Sequence, residues 1–225
     1  MNQKNTSGKL ILFSDFDGTI STRDVGNRLF YHFSGGKSEE VVARWKRNEI
    51  DSRQCLLGEA ASMRSFSEQE LHDFIDSFEI DETFLAFKDF AAKNNFPLYL
   101  LSDGLDLYIT RLLAKYRISG IPVLANTARY ADGGLTFEFP YFEQSCGNCA
   151  NCKGYHLRRL RIEGATVVYI GDGKSDLCAL PEADMIFAKD YLAEYCLQER
   201  IEFLPFDTFS AITQVLTEHI LKFQD

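Results

Sequence analysis

Four acids in this chain lie where they could act together. Asp15 and Asp17 stand two apart in Asp15-Phe16-Asp17-Gly18-Thr19, and Asp172 and Asp176 stand four apart in Gly171-Asp172-Gly173-Lys174-Ser175-Asp176. Each pair follows a short apolar run, LILFS and TVVYI. In an extended strand residues i and i+2 point the same way. Asp15 and Asp17 therefore face one pocket at the carboxyl edge of a sheet, where open α/β sheets bind ligands. An ionised Asp15 can attack phosphorus and split hydrolysis into two easier steps through an aspartyl-phosphate. Asp17 can protonate the leaving oxygen and then take a proton from the attacking water. A carboxylate approaching a phosphate meets repulsion of about 4 kcal/mol per charge pair at 4 Å and an effective dielectric of 20. Mg²⁺ is the direct remedy, held by oxygens of Asp15, a backbone carbonyl at Asp17, and Asp172. Asp176 is placed to orient metal-bound water or a nearby lysine.

Two further pieces complete a phosphate pocket. Ser102 ends the apolar run PLYLLS and precedes Asp103-Gly104. Its hydroxyl and the N–H groups from Asp103 onward sit where a strand passes into a helix, a good place for a phosphate oxygen; helix capping is the alternative. Lys153 is the candidate cation for a pocket that holds several acids. Gly173-Lys174-Ser175 is not a P-loop, because that motif needs glycine where Val168 stands.

These residues need a scaffold, and the alternation of the sequence supplies one. Near-continuous apolar runs at 10–14, 97–102, 122–126, 166–171 and 185–188 suit strands of a parallel sheet buried on both faces, with a short one at 202–204. Helical patterns lie between them, at 84–93, 105–116 and 209–223, as crossovers require. The expected fold is α/β, a Rossmann-like, doubly wound parallel sheet. Residues 24–80 break the alternation and read as helices with no strand. Ser67 and Glu70 form a capping box there, with Phe66 and Leu71 as its hydrophobic staple. The expected division is a core of residues 1–23 and 81–225 and a helical cap of 24–80, placed to exclude water and select substrate. RYADGGLTFEF reads as a hairpin.

Composition narrows the partners. The 225 residues carry a formal charge of −9, which disfavours nucleic acid. No run reaches the roughly 20 apolar residues of a membrane span. The polar start, MNQKNTSGK, lacks the apolar centre of a signal peptide. The expectation is a cytoplasmic protein acting on a small phosphomonoester, with neither nucleic acid nor membrane as partner. Nothing in the sequence sets its oligomeric state.

The four pieces, in this order, resemble the haloacid dehalogenase-like (HAD) superfamily of phosphatases. The resemblance rests on DFDGT, the serine of LLSDG, the lysine of CKGYH, and GDGKSD, and it covers nearly the whole chain. It implies Asp15 as nucleophile, Asp17 as acid and base, and Ser102 and Lys153 as phosphate ligands. It also implies Asp15, the Asp17 carbonyl and Asp172 around Mg²⁺. A second Asp two after the nucleophile is similar to the phosphatases of that superfamily, not its dehalogenases. A helical segment between the first two motifs resembles the type-one cap of the phosphoserine-phosphatase-like branch. Within it the nearest likeness is to methionine-salvage phosphatases acting on an enol sugar-phosphate derivative, carried by the Cys-rich approach to Lys153 and by FAKDYLAEYCLQERIEFLPFDTF. Phosphocholine/phosphoethanolamine phosphatases resemble it as well. Two departures lower phosphoserine as the substrate. Asp24 stands where phosphoserine phosphatases have Glu, and Glu59 aligns with the cap Arg that binds the substrate carboxylate. A phosphotransferase or mutase, and a catalytically silent binding protein, are the readings of a different class.

Of six cysteines, Cys55, Cys178 and Cys196 are scattered, which is not a secreted disulfide framework. Cys146, Cys149 and Cys152 form CxxCxxC, and His156 follows four residues later. That spacing can close a structural Zn²⁺ site. A packed knuckle, a disulfide, or inherited sequence without a ligand are the alternatives.

Overall fold

The computed structural model describes residues 9–221. The polar start and the end of the expected last helix lie outside the described residues. Seven strands form one sheet in the order β4-β3-β2-β1-β5-β6-β7. They are β1 (Leu10–Ser14), β2 (Leu98–Leu105), β3 (Val123–Ala131), β4 (Gly134–Glu138), β5 (Thr166–Gly171), β6 (Met185–Ala188) and β7 (Leu204–Pro205). All neighbours pair parallel except β3 and β4, which form the expected antiparallel hairpin. The hairpin is not a separate insertion. β3 runs without interruption from the sheet into its first arm, so its polar outer half extends the strand beyond the apolar run that marks it in sequence.

The chain winds outward from β1 in both directions, through β2 and β3 on one side and β5 and β6 on the other. The order reverses between β1 and β5, the switch point where such sheets bind ligands. Alternation along β1 shows why the strands read as continuous apolar runs. Leu10 and Leu12 enter the core on one face; Ile11 and Phe13 enter a second core on the other. The first core is covered by α5 (Phe84–Lys93), α6 (Asp106–Lys115) and α9 (Phe209–Leu221); the second by α7 (Lys153–Leu160) and α8 (Asp190–Glu199).

Between β1 and α5 the described chain is helical: α1 (Val25–Ser34), α2 (Ser38–Lys46), α3 (Ser52–Ala61) and α4 (Glu68–Asp76). Its two ends are clasped together. Ser21 bridges Ile80 antiparallel, the Thr22 N–H donates to Glu79 O and the Asp81 N–H to Ile20 O. Asp24 caps α1 by accepting from the Asn27 N–H. The capping box of Ser67 and Glu70 opens α4, and the staple residues Phe66 and Leu71 are buried. Phe33 and Phe66 pack ring on ring at 4.2 Å, joining α1 to the entry of α4.

Candidate active site

The register of β1 and β5 brings the two acidic motifs together. Ser14 pairs with Ile170, and the Asp15 N–H donates to Ile170 O at 2.8 Å. Asp15 and Asp172 thus leave the sheet side by side. Gly18 turns the chain with φ +78°, and a β-carbon there would collide with the Asp172 carboxylate. Only glycine suits both the left-handed turn and the close approach. The Thr19 hydroxyl donates to Asp172 Oδ1 at 2.6 Å.

Lys153, at the start of α7, is fully buried beneath these acids. Its Nζ donates to Asp15 Oδ1 at 2.5 Å, to Ser175 Oγ at 3.1 Å and to Asp176 Oδ1. Asp176 is saturated. Its Oδ1 also accepts from the Tyr169 hydroxyl, and its Oδ2 from the N–H groups of Asp172 and Gly173 at 2.9 and 2.8 Å. Asp176 therefore shapes the loop and holds the lysine. Burial opposes the charge of Lys153, but Asp15 and Asp176 outweigh it and hold its pKa well above the ordinary value.

Oxygens of Asp15, Asp172 and Asp176 lie within 4.8 Å of one another. Burial pushes the Asp15 carboxyl up against the pull of Lys153, with Asp176 and Asp172 adding to the rise. Asp172 is raised to about 7 by burial and then by Asp176. One ammonium does not balance three crowded carboxylates. An all-oxygen donor set with surplus negative charge fits a hard divalent cation such as Mg²⁺.

The Asp17 carboxylate faces away from this cluster. Its Oδ1 accepts from the N–H groups of Val25 and Gly26 at the start of α1, at 3.0 and 3.2 Å. Its Oδ2 accepts from the Tyr108 hydroxyl at 2.6 Å and from Ser102 Oγ at 3.3 Å. Burial, then Asp24 and Asp15, raises it to about 7. Ser102 Oγ also accepts from the Gly104 N–H at 2.9 Å. The side chain of Asp103 is engaged in structure: its Oδ1 accepts from the Asn151 N–H at 2.6 Å, and burial raises its pKa to about 6.

Asp15, Asp17, Ser102, Asp103 and Asp172 all line one cavity of about 500 Å³. Phe30, Val42, Trp45 and Leu56, from α1 to α3, and Tyr191 form apolar parts of its wall. Glu59 lines it too and is buried. Its Oε2 accepts from the Cys55 thiol at 3.7 Å, while Oε1 has no hydrogen-bond partner. Burial raises its pKa to about 8.

The structure corrects the expected zinc ligand His156. Its Nε2 donates to Asn151 Oδ1 at 2.6 Å, and its Nδ1 accepts from Arg159 Nε at 3.0 Å. Both ring nitrogens are occupied in holding the Asn151 loop, and burial together with Arg159 lowers its pKa to about 4. Spacing alone had drawn it towards the cysteines. Residues the sequence reading passed over are Tyr108, Tyr169 and Asn151. Asn151 Nδ2 donates to Ser102 O and Leu124 O, tying β2 and β3 to the turn before Lys153. Tyr108 had only its place on the helical face with Leu105 and Leu112 to mark it.

A haloacid dehalogenase-like hydrolase family model matches residues 12–181, a span that contains both acidic motifs, Ser102 and Lys153. The chain belongs to the haloacid dehalogenase-like hydrolase family. It is 31% identical over 219 residues to the 2-hydroxy-3-keto-5-methylthiopentenyl-1-phosphate phosphatase of Bacillus cereus (strain ATCC 10987 / NRS 248), covering 94% of this chain and 97% of that protein. The Bacillus anthracis enzyme of the same name is 30% identical over equal coverage. Family and relatives together make the chain a phosphomonoesterase. Solved structures share its fold. A HAD family hydrolase from Salmonella enterica subsp. enterica serovar Typhi superposes with a TM-score of 0.71, at 18% identity over 94% of this chain and 72% of that one. Phosphoserine phosphatase from T. onnurineus superposes at 0.66, at 17% identity over 96% and 97%. Among the described residues no helix of this HAD hydrolase is long and apolar enough to cross a membrane.

Proposed function

We propose that this phosphatase hydrolyses a small phosphorylated metabolite through a phosphorylated Asp15. The observation that carries the reading is Lys153, fully buried and bonded both to Asp15, which lines the cavity, and to Asp176 behind it. A fixed ammonium there holds Asp15 in place and stabilises charge on the transferring phosphoryl oxygens. The Ser102 hydroxyl and the backbone that follows it bind a phosphate oxygen from the opposite side. Asp15, the Asp17 carbonyl and Asp172 would hold Mg²⁺, with Asp176 fixing the loop that carries Asp172 and the position of Lys153. The cation supplies neutralisation between nucleophile and phosphate. Asp15 attacks phosphorus, and Asp17 gives its proton to the leaving oxygen. Asp17 then takes a proton from the water that opens the acyl phosphate, and inorganic phosphate leaves. The Tyr108 hydroxyl and the N–H groups at the start of α1 orient Asp17 for both transfers.

Residues 24–80 act as a cap on a core of 1–23 and 81–225. The clasp at Ser21 and Ile80 and the four helices it encloses support that division. The cap gives the cavity an apolar wall and one buried, uncompensated carboxyl, Glu59. Such a wall suits a neutral leaving group with an apolar end and a hydroxyl or carbonyl that can pair with Glu59 Oε1. That profile matches the substrate named for the Bacillus relatives, 2-hydroxy-3-keto-5-methylthiopentenyl-1-phosphate, better than phosphoserine, whose carboxylate would meet Glu59. Six free cysteines support a reducing, cytoplasmic setting.

Phosphate release from that compound, phosphoserine and phosphocholine tests the reading. The highest kcat/KM is expected for the enol-phosphate, with activity lost on chelation, restored by Mg²⁺ and inhibited by Ca²⁺, which takes more ligands at longer distance. A higher value for phosphoserine overturns the substrate. Full turnover by Asp15→Asn, or by chelated enzyme, overturns the mechanism.

A further inference from the structure

Cys178, isolated in sequence, joins the CxxCxxC cluster in space. Its Sγ lies 3.7 Å from that of Cys149, and the thiols of Cys146 and Cys152 lie near enough to interact with it. Cys146 and Cys149 are 3.4 Å apart, and the sulfurs of Cys146, Cys149 and Cys152 all lie within 4.8 Å of one another. All four are free thiols. A tetrahedral zinc ion with Zn–S bonds of about 2.3 Å separates its sulfurs by roughly 3.8 Å, close to the 3.4 Å of Cys146–Cys149 and the 3.7 Å of Cys149–Cys178.

We propose that Cys146, Cys149, Cys152 and Cys178 form a tetrathiolate site for one structural Zn²⁺. Four thiols are weak hydrogen-bonding partners for one another, so mutual contact gains little without a cation. The local chain is shaped for the cluster. Gly147 takes φ +88° in the Cys146–Cys149 turn. Gly154 lies so close that a β-carbon would strike the Cys178 carbonyl. Cys152 sits at the cap of α7 with its side chain free of any capping bond. The Arg158 guanidinium, on the same helix, lies near enough to Cys152 and Cys178 to offset part of the negative charge of such a site. Soft thiolates select zinc over magnesium, so the two metals do not compete. The site joins the residue before Lys153 to the segment that follows Asp176, the two pieces of chain that Lys153 bridges. It is a positioning device for that lysine, and the metal binding itself does not depend on the proposed reaction.

The test is metal and thiol content of protein purified without chelator. Wild-type protein should carry about one zinc per chain, with four thiols shielded until a mercurial displaces the metal. Cobalt substitution should give the sulfur-to-metal charge-transfer band of a tetrathiolate. Cys178→Ser should lower zinc to traces, and His156→Gln should keep it at one. Metal-free wild type, four reactive thiols, or disulfides among these cysteines would overturn the proposal. So would loss of zinc in His156→Gln with retention in Cys178→Ser. If Cys178→Ser does not fold, the cobalt spectrum of the parent decides alone: a band of mixed nitrogen and sulfur ligation rejects the site.

Discussion

Lys153 is the residue on which the site's electrostatics turn. It is buried among three carboxylates and is directly bonded to two of them. Removing one partner of a buried ion pair typically costs about 3–5 kcal/mol, because the other charge is left uncompensated. Lys153→Met should therefore melt well below the parent in chelator, and Mg²⁺ should recover part of the loss by neutralising the same acids. Its kcat should fall at least about 100-fold, as expected when a group aimed at developing charge is lost. Equal melting curves for parent and variant would refute this role. Glu59 carries a pH signature. Its folded pKa is about 8, against 4.5 in the unfolded chain. Between those values the folded protein binds more protons, so this group makes stability fall as pH rises, by about 1.4 kcal/mol per pH unit. Below the window it contributes nothing, and above it the penalty is complete. Glu59→Gln should be more stable than the parent at pH 8, and the difference should shrink towards pH 5. Denaturant unfolding at both pH values checks it; a gap that is constant with pH would show that Glu59 ionises normally.

Elements carry the site by register and by caps. The α4 helix starts on the Ser67 box, and among the residues lining the cavity none belongs to α4. Ser67→Ala should cost about 1 kcal/mol, roughly 2–4 °C in Tm for a chain of this size, with KM unchanged. A shifted KM would mean that α4 reaches the substrate. That cap was legible because a capping box and its staple are local. So were the strands carrying Asp15, Ser102 and Asp172, whose two-sided burial makes each an unbroken apolar run. The continuity of β3 was not: polar Thr127 separates the apolar run at 122–126 from the hairpin arm that begins at Arg129, so one strand reads as two pieces. Nor was the fourth thiol. Cys178 lies 29 residues beyond Cys149, on the far side of β5, and no local pattern encodes that meeting. His156 fails for a related reason: spacing fixes distance along the chain, while its side chain turns towards Asn151. Tyr108 and Asn151 hold Asp17 and Lys153 through contacts spanning three strands, which only the assembled sheet creates.

At the scale of the whole molecule, the helical segment and the catalytic loop are latched by one side chain. Lys174, beside the Asp172 turn, donates through Nζ to the carbonyls of Trp45 and Lys46, at 3.3 and 2.7 Å, and to Asn48 Oδ1 at 2.9 Å. These carbonyls end α2, where the helix dipole favours a cation. The ammonium also lies 5.2 Å from the centre of the Trp45 ring, itself part of the cavity wall. Any separation of this wall from the core would break the same three bonds. Charge-assisted hydrogen bonds to a partly exposed lysine are worth about 1–2 kcal/mol together once solvent competes. Lys174→Met should therefore shift the balance towards the open form. KM should rise about fivefold or more, because the closed, binding-competent population falls. The rate of a single chemical turnover should hold at saturating substrate, since Lys174 bonds to neither Asp15 nor Asp17. Where opening limits release of phosphate, kcat should rise. Single-turnover and steady-state kinetics separate the two. A fall in the single-turnover rate with KM unchanged would place Lys174 in the chemistry instead of the latch.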